Sequence, residues 1–209
     1  MTNEEETPNC KVVLLGETGV GKTCIISRYI RNAFNPETEI STMASFTSKT
    51  LTMNNNTKLR FDIWDTAGQE KYRSLTKFFY KDAAIAILVY DITRRDSFEE
   101  VKKYWYEQLK TCGEKDLIIG IAGNKCDMFD KEAVTEDEAK AFATEIGAQF
   151  QLTSAFKNNG IEELFKLVGC KYLDPNFQQK VKENPSTTAD KNIKLTNNKD
   201  KPGKKKGRC

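Results

Sequence analysis

One segment has the residue types and spacing of a phosphate-binding loop. Residues 16–23 read GETGVGKT, which matches the pattern GxxxxGK[ST] and lies between a short apolar run and a helical pattern. Glycines let backbone N–H groups surround an anion, and the start of the following helix adds its dipole. Lys22 is expected to reach the β- and γ-phosphates of a nucleotide, and the Thr23 hydroxyl to bind Mg²⁺. The predicted phosphate contacts in this loop are Glu17, Thr18, Gly19, Val20, Gly21, Lys22 and Thr23.

A second motif, DTAGQ at residues 65–69, follows a strand-like run. Asp65, at the carboxyl end of that strand, suits a water-mediated contact to Mg²⁺. We expect Gly68 to direct its N–H toward a γ-phosphate and Gln69 to orient the attacking water. Gln69 need not be a strong base, because catalysis of this reaction consists mainly of positioning and charge stabilisation. Together with the phosphate-binding loop, this motif predicts phosphate hydrolysis, with Gln69 and Lys22 as catalytic residues. For the pattern DxxG alone, the alternative is a solvated turn.

A third motif, NKCD at residues 124–127, follows an apolar run that ends at Gly123. The Asp127 carboxylate can accept hydrogen bonds from both N1–H and the 2-amino group of guanine, whereas adenine has neither donor. Lys125 is expected to cover the base with its stem, and Asn124 to connect neighbouring loops. The three motifs together predict a guanine nucleotide.

Apolar runs and helical patterns alternate along the chain. The strands predicted from these runs cover residues 11–15, 47–53, 58–64, 84–90 and 117–123, with a hairpin at 54–56. The predicted helices cover residues 23–31, 97–110, 136–146 and 161–172, the third of them opened by a capping box of Thr135 and Glu138. This alternation indicates a mostly parallel sheet with helices on both faces.

Composition limits the class of protein further. The 209 residues are 38% hydrophobic and 30% charged, which is enough apolar content for a packed core. No run approaches the ~18 apolar residues of a membrane span, and residues 1–9 do not resemble a secretory signal. Six scattered cysteines without a CxxC pair, and no histidine, argue against disulfides, zinc sites and histidine-dependent nucleophiles. We therefore expect a soluble, cytosolic protein.

The charge is unevenly distributed. Residues 1–174 carry 23 basic and 27 acidic side chains, and residues 175–209 carry ten basic and three acidic ones. We predict a flexible N-terminus at 1–9, one domain at 10–174 and a disordered basic tail at 175–209. Such a tail suits a nucleic-acid binder, but the acidic domain and the lack of aromatic residues among the tail lysines oppose that reading.

The three motifs, in this order and spacing, resemble the Ras superfamily of small GTPases over about residues 10–174. WDTAGQEKYRSL at 64–75 and LVYDIT at 88–93 look like the Rab family. ASF at 44–46 and GIEELF at 160–165 are similar to its early-endosomal branch. The resemblance implies an α/β P-loop GTPase domain: a six-stranded, mostly parallel sheet with one antiparallel strand, and five helices on both faces.

The resemblance also implies two switch segments, at about residues 35–46 and 65–79, which order with the γ-phosphate and Mg²⁺ and loosen on hydrolysis. The Mg²⁺-binding hydroxyl of the first segment is Ser41 or Thr42, and counting from the flanking motifs favours Ser41. In Rabs an aromatic triad presents the nucleotide state to effectors, and each member has core packing as its alternative. The triad maps to Phe46, Trp64 and Phe79.

Two departures from the family concern the base and the membrane. Ser154, Ala155 and Phe156 stand where the family usually has Ser-Ala-Lys. By resemblance the Ala155 N–H meets guanine O6, while Phe156 changes how tightly the base is held. The tail has one candidate lipidation site, Cys209, after four nearby cations, and lacks the three following residues that C-a-a-X requires.

One lipid binds membranes only marginally, so the tail cations must assist, each by about 1 kcal/mol on an anionic leaflet. We therefore predict a single geranylgeranyl group on Cys209, with a free thiol as the alternative.

The resulting hypothesis is a Rab-like GTPase that switches between GTP and GDP, with Mg²⁺, on the cytoplasmic face of intracellular and endosomal membranes, with a cytosolic pool. The implied partners are an exchange factor, an activating protein, a GDP-dissociation-inhibitor-type chaperone and effectors; we expect a monomer without nucleic acid.

The alternative enzyme is a nucleotide kinase. A nucleotide kinase would need a lid and acceptor-site arginines, and only Arg28 and Arg31 lie near the loop. Without an evident arginine finger, we expect intrinsic hydrolysis at about 10⁻⁴ to 10⁻³ s⁻¹.

Overall fold

The computed structural model describes residues 7–36, 45–53, 56–66, 82–112 and 117–173. The larger part of both predicted switch segments, and the whole predicted tail, lie outside these ranges. No helix within the described ranges is both long and apolar enough to cross a membrane.

Within the described ranges, six strands form a single sheet. They are β1 (Asn9–Leu15), β2 (Ser45–Thr52), β3 (Lys58–Asp65), β4 (Ile85–Asp91), β5 (Ile118–Asn124) and β6 (Gln149–Leu152). Their order across the sheet is β2-β3-β1-β4-β5-β6. β2 pairs antiparallel with β3, and the other four pairs are parallel. This arrangement confirms the predicted sheet with one antiparallel strand.

Position in the sheet explains the character of each strand. All seven residues of β4 are buried, as expected for a central parallel strand that is covered on both faces. β2 lies at one edge, and its residues are alternately exposed and half-buried for most of its length. The antiparallel pairing of β2 with β3 agrees with the hairpin predicted at 54–56, although residues 54 and 55 lie outside the described ranges. Its described member, Asn56, has a φ of 61° and donates its N–H to Met53 O.

Five α-helices pack on the sheet in the described part of the chain. They are α1 (Lys22–Arg31), α2 (Arg95–Glu100), α3 (Tyr106–Cys112), α4 (Glu136–Glu145) and α5 (Ile161–Leu173). The N-cap predicted for α4 is confirmed, because the Thr135 side chain accepts the Glu138 N–H at 3.3 Å. The number of helices agrees with the family expectation.

The helix predicted over 97–110 is interrupted. A π-helical turn, Val101–Trp105, joins α2 to α3, and Tyr106 donates its N–H to Val101 O five residues earlier. The predicted apolar face nevertheless continues through the interruption. Its members, all buried, are Phe98, Val101, Trp105 and Leu109.

Alternate residues of β1 supply the two halves of the core. Val12 and Leu14 belong to the cluster beneath α1 and α5, and Val13 and Leu15 belong to the cluster beneath α2, α3 and α4. In the first cluster Phe165 stacks on Tyr29 with ring centroids 3.9 Å apart. That contact fixes α5 against α1, the helix that follows the phosphate loop.

Phe165→Ala tests this packing. The ring is fully buried, so we expect its removal to lower the free energy of unfolding by about 3–5 kcal/mol. Urea unfolding measures the change. The control is Phe129→Ala, because Phe129 is 76% exposed and its removal should cost less than about 0.5 kcal/mol. Equal losses in the two variants would contradict this description of the core.

Candidate nucleotide-binding site

The carboxyl ends of the parallel strands meet at one edge of the sheet. Leu14 of β1 is in register with Asp65 of β3, and Asp91 of β4 with Asn124 of β5. In open α/β sheets ligands bind outside this edge. A cleft of about 440 Å³ lies there. Its described lining is Thr18, Gly19, Gly21, Lys22, Thr23, Cys24, Phe34, Asn35, Pro36, Thr66, Asn124, Lys125, Asp127, Met128, Ala155 and Phe156.

The loop between β1 and α1 has the shape of an anion cradle. Gly21 has a φ of 98°, and a Cβ there would collide with the Asn124 amide nitrogen. A Cβ on Gly16 would collide with the Val89 carbonyl. Only glycine fits these two positions, and α1 begins directly after the loop, so its first N–H groups face the cleft edge. The loop therefore fits a phosphate group.

The Lys22 side chain is buried inside this loop. Its ammonium donates to the carbonyls of Gly16 and Glu17 at 2.8 and 2.9 Å. Burial lowers the pKa of Lys22 to about 8, and the carboxylates of Asp65 and Glu17 partly oppose that shift. A buried cation at the start of a helix favours an anionic ligand.

Two oxygen groups that suit Mg²⁺ lie side by side next to the cradle. The Thr23 hydroxyl donates to Asp65 Oδ2 at 2.7 Å. The buried Thr66 hydroxyl donates to Leu14 O at 2.6 Å and anchors the beginning of the second motif to β1. Mg²⁺ commonly takes one or two protein oxygens together with substrate phosphates, so these residues fit the ion. The remaining predicted contacts of this region, Ser41, Thr42, Gly68 and Gln69, lie outside the described residues.

Asn124 joins the third motif to the phosphate loop. Its buried amide donates to Val20 O at 2.8 Å and accepts from the Thr153 hydroxyl at 3.2 Å. The following residue, Lys125, has a φ of 65°, and its ammonium lies 2.6 Å from Asp91 Oδ2. Asn124 thus contacts both the phosphate loop and the strand end at Thr153, whereas the prediction that the Lys125 stem covers the base stays a prediction.

Asp127 and the loop after β6 form the other end of the cleft. The Ser154 hydroxyl donates to Asp127 Oδ1, which orients the carboxylate. Ala155 is buried beside it, and the Phe156 ring is 54% exposed and lies 5.4 Å from the Phe34 ring. The structure therefore brings Asp127, Ser154, Ala155 and Phe156 together with the phosphate loop at one cleft.

Phe34, Asp91 and Arg94 also lie at or beside the cleft, although no sequence motif assigned them a role there. Asp91 is buried, accepts from the Thr93 N–H and hydroxyl, and holds Lys125. Arg94 donates to Thr18 O at 2.9 Å and pairs with Asp96 at 2.6 Å, which raises the pKa of the guanidinium. The signal for Asp91 was available, because it is an acidic residue at the end of an apolar strand.

Part of the predicted aromatic triad lies on the β2–β3 hairpin. Phe46 is opposite Trp64, and their ring centroids are 5.3 Å apart. Phe46 is 53% exposed, so it does not pack in the core. Phe79 and the predicted lipidation site Cys209 lie outside the described residues.

The fold and the cleft together define a P-loop nucleotide-binding protein of the α/β class. A family model described as the Ras family matches residues 11–174. The chain is 44% identical to the Ras-related protein Rab-31 of Rattus norvegicus over 168 residues, which are 79% of this chain and 85% of that protein. It is 44% identical to Rab-22A of Homo sapiens over 155 residues, 74% and 79% of the two chains. It is 41% identical to RABF2b of Arabidopsis thaliana over 157 residues, 75% and 78% of the two chains.

The chain therefore belongs to the Ras family, and its relatives are Rab proteins. The family identification from the three motifs is confirmed, as is the class of enzyme, a small GTPase that hydrolyses GTP. Rab proteins, to which these relatives belong, act in vesicle trafficking.

Asn124→Ala tests the connection between the two ends of the cleft. The substitution removes two buried hydrogen bonds, one to Val20 O and one from the Thr153 hydroxyl. We expect the free energy of unfolding to fall by about 1–3 kcal/mol in urea unfolding. The same change at exposed Asn9, whose amide donates to Asp62 at 3.3 Å, is the control and should have little effect. If the free energy of unfolding falls no more in Asn124→Ala than in the Asn9 control, the Asn124 side chain does not stabilise this connection.

Proposed function

We propose that this chain is a GTP/GDP switch of intracellular membranes that takes Mg²⁺ with its nucleotide. One observation carries the proposal: the glycine-lined cradle, the Thr23–Asp65 oxygen pair and the Asp127 carboxylate lie at one cleft edge. The cradle suits phosphates and the Asp127 carboxylate suits a base, so one cleft contains groups for both parts of a nucleotide.

At the phosphate end, we assign the contacts to the backbone of residues 17–23 and to the Lys22 ammonium. Thr23 and Asp65 are the Mg²⁺ residues in the described part of the site, and Ser41 or Thr42 adds a hydroxyl. When bound, the ion neutralises charge that develops on the phosphates. We assign Gly68 to the γ-phosphate and Gln69 to the attacking water, with Lys22 stabilising the transferred group.

At the base end, Asp127 accepts from the two guanine donors, and the Ala155 N–H meets O6. Ser154 keeps the carboxylate in place through its hydroxyl. The stem of Lys125, whose ammonium is held by Asp91, covers one face of the base. Phe156 stands where the family usually has a lysine. Its ring and the Phe34 ring form an aromatic wall at this end of the cleft.

The rest of the proposal concerns partners and place. Residues 10–174 act as the GTPase domain and residues 175–209 as a basic tail that meets the membrane through a lipid on Cys209. Effectors contact Phe46, Trp64 and Phe79, and an exchange factor, an activating protein and a GDP-dissociation-inhibitor-type chaperone serve the cycle. The protein acts as a monomer, without nucleic acid, on endosomal membranes and from a cytosolic pool. The similarity to Rab-31 and Rab-22A favours the endocytic step.

Nucleotide competition with Mg²⁺ tests the identity of the base. We expect GTP and GDP, but not ATP or ADP, to displace a fluorescent guanine nucleotide. In Asp127→Asn, GDP affinity should fall about 100-fold or more while xanthosine diphosphate gains, because an acceptor becomes a donor. The control is Asp130→Asn, the same change at an exposed position of the same segment. Micromolar binding of ATP without binding of GTP would refute the proposed function.

Gln69→Leu tests the assignment of the attacking water. A leucine cannot orient water, so we expect hydrolysis of bound GTP to fall at least about tenfold below the 10⁻⁴ to 10⁻³ s⁻¹ range while GTP still binds. Single-turnover release of phosphate measures the rate. Gln108→Leu on α3 is the matched control and should hydrolyse GTP at the normal rate. Unchanged turnover in Gln69→Leu would remove this residue from the mechanism.

A further inference from the structure

Arg28 of α1 contacts the loop that forms the base end of the cleft, without lining the cleft itself. The half-buried Arg28 donates from Nε to Ala155 O at 2.8 Å and from one terminal nitrogen to Phe156 O at 3.2 Å. Its other terminal nitrogen donates to the carbonyl and side-chain oxygens of Asn32, at 2.8 and 3.1 Å. All three guanidinium nitrogens are thus used.

These bonds join two separate parts of the chain. Ala155 and Phe156 belong to the loop after β6, and Asn32 caps α1 with a φ of 52° and begins the segment that leads to Phe34. A second bond, from the Asn158 amide to the Asn32 side-chain oxygen at 3.3 Å, connects the same two parts. The result is visible in the cleft, where the Phe34 and Phe156 rings meet at an angle of 65°.

The chemistry of the guanidinium explains why an arginine suits this place. Its planar fork donates in several directions at once, and hydrogen bonds from a charged donor are stronger than neutral ones. A lysine in its place would keep the charge but would supply a single ammonium, which cannot hold Asn32 and both loop carbonyls together.

We propose that Arg28 is a positioning residue that controls how long guanine nucleotide stays bound. It does so by holding the loop of Ala155 and Phe156 against the segment that carries Phe34. The inference rests on the proposed function, since it assumes that the base occupies this end of the cleft. Arg28 acts through these two segments and is not among the described residues that line the cleft.

Release of a fluorescent N-methylanthraniloyl derivative of GDP from the full chain, with Mg²⁺ and excess unlabelled GDP, tests the proposal. We expect Arg28→Ala to release the nucleotide about tenfold faster or more, through the release rate constant and not through association. The release rate of Arg28→Lys should lie between those of the wild type and Arg28→Ala. The matched control is Arg31→Ala, which removes the same charge from the exposed end of the same helix and should release at the wild-type rate.

A double-mutant cycle separates positioning from general loosening of the fold. If Arg28 acts through the aromatic wall, Arg28→Ala should add much less to the release rate once Phe156→Ala is present. Multiplicative effects in the cycle, or release from Arg31→Ala as fast as from Arg28→Ala, would overturn the inference.

Release from Arg28→Ala within twofold of wild type would overturn it as well. If that variant does not fold, Arg28→Lys decides, and wild-type release from it would count against the role. Wild-type protein that binds no GDP at all would refute the proposed function and this inference with it, whereas normal binding with unaltered release in the Arg28 variants would refute only the inference.

Discussion

The buried ammonium of Lys22 is the interaction on which the rest of the site depends. It lies at the beginning of α1, where the helix already presents partial positive charge, and burial alone would favour its neutral form. Two carbonyls of its own loop hold it, and Asp65 and Glu17 stabilise its charge from a distance. An anion in the cradle compensates this concentration of positive charge, which makes phosphate the natural ligand of the loop.

The sheet places the other groups around that cation. Because β1, β3, β4 and β5 run parallel, their carboxyl ends bring Asp65, Asp91 and Asn124 to the same edge, although these residues are widely separated in sequence. Each of the three then makes a contact beyond its own strand: with Thr23, with Lys125 and with Val20, respectively. These contacts tie the three strand ends to the phosphate loop, to α1 and to the third motif.

The central strands and the motifs could be predicted because their signals are local. The all-apolar β4 and the glycine pattern before α1 each follow from adjacent residues. By contrast, β6 has four half-buried residues and no apolar run, so only the family resemblance implied a sixth strand. The π turn within 97–110 leaves the buried face intact, and therefore leaves no trace in the hydrophobic spacing. The place of Asp91 at the end of an apolar strand is a local signal, but its pairing with Lys125 is not, and neither is the contact of Arg28 with Ala155, because these partners lie far along the chain.

The hydrogen bond from the Asn124 side-chain amide to Val20 O has a consequence for ligand recognition. It connects the segment that contains Asp127 to the phosphate loop, so the proposed base end and the proposed phosphate end of the cleft are held together. Because the two ends are already connected, one ligand that reaches both of them gains both sets of contacts at once. Guanosine and pyrophosphate supplied as separate molecules would each lose this advantage, so the covalent link between them contributes to tight binding.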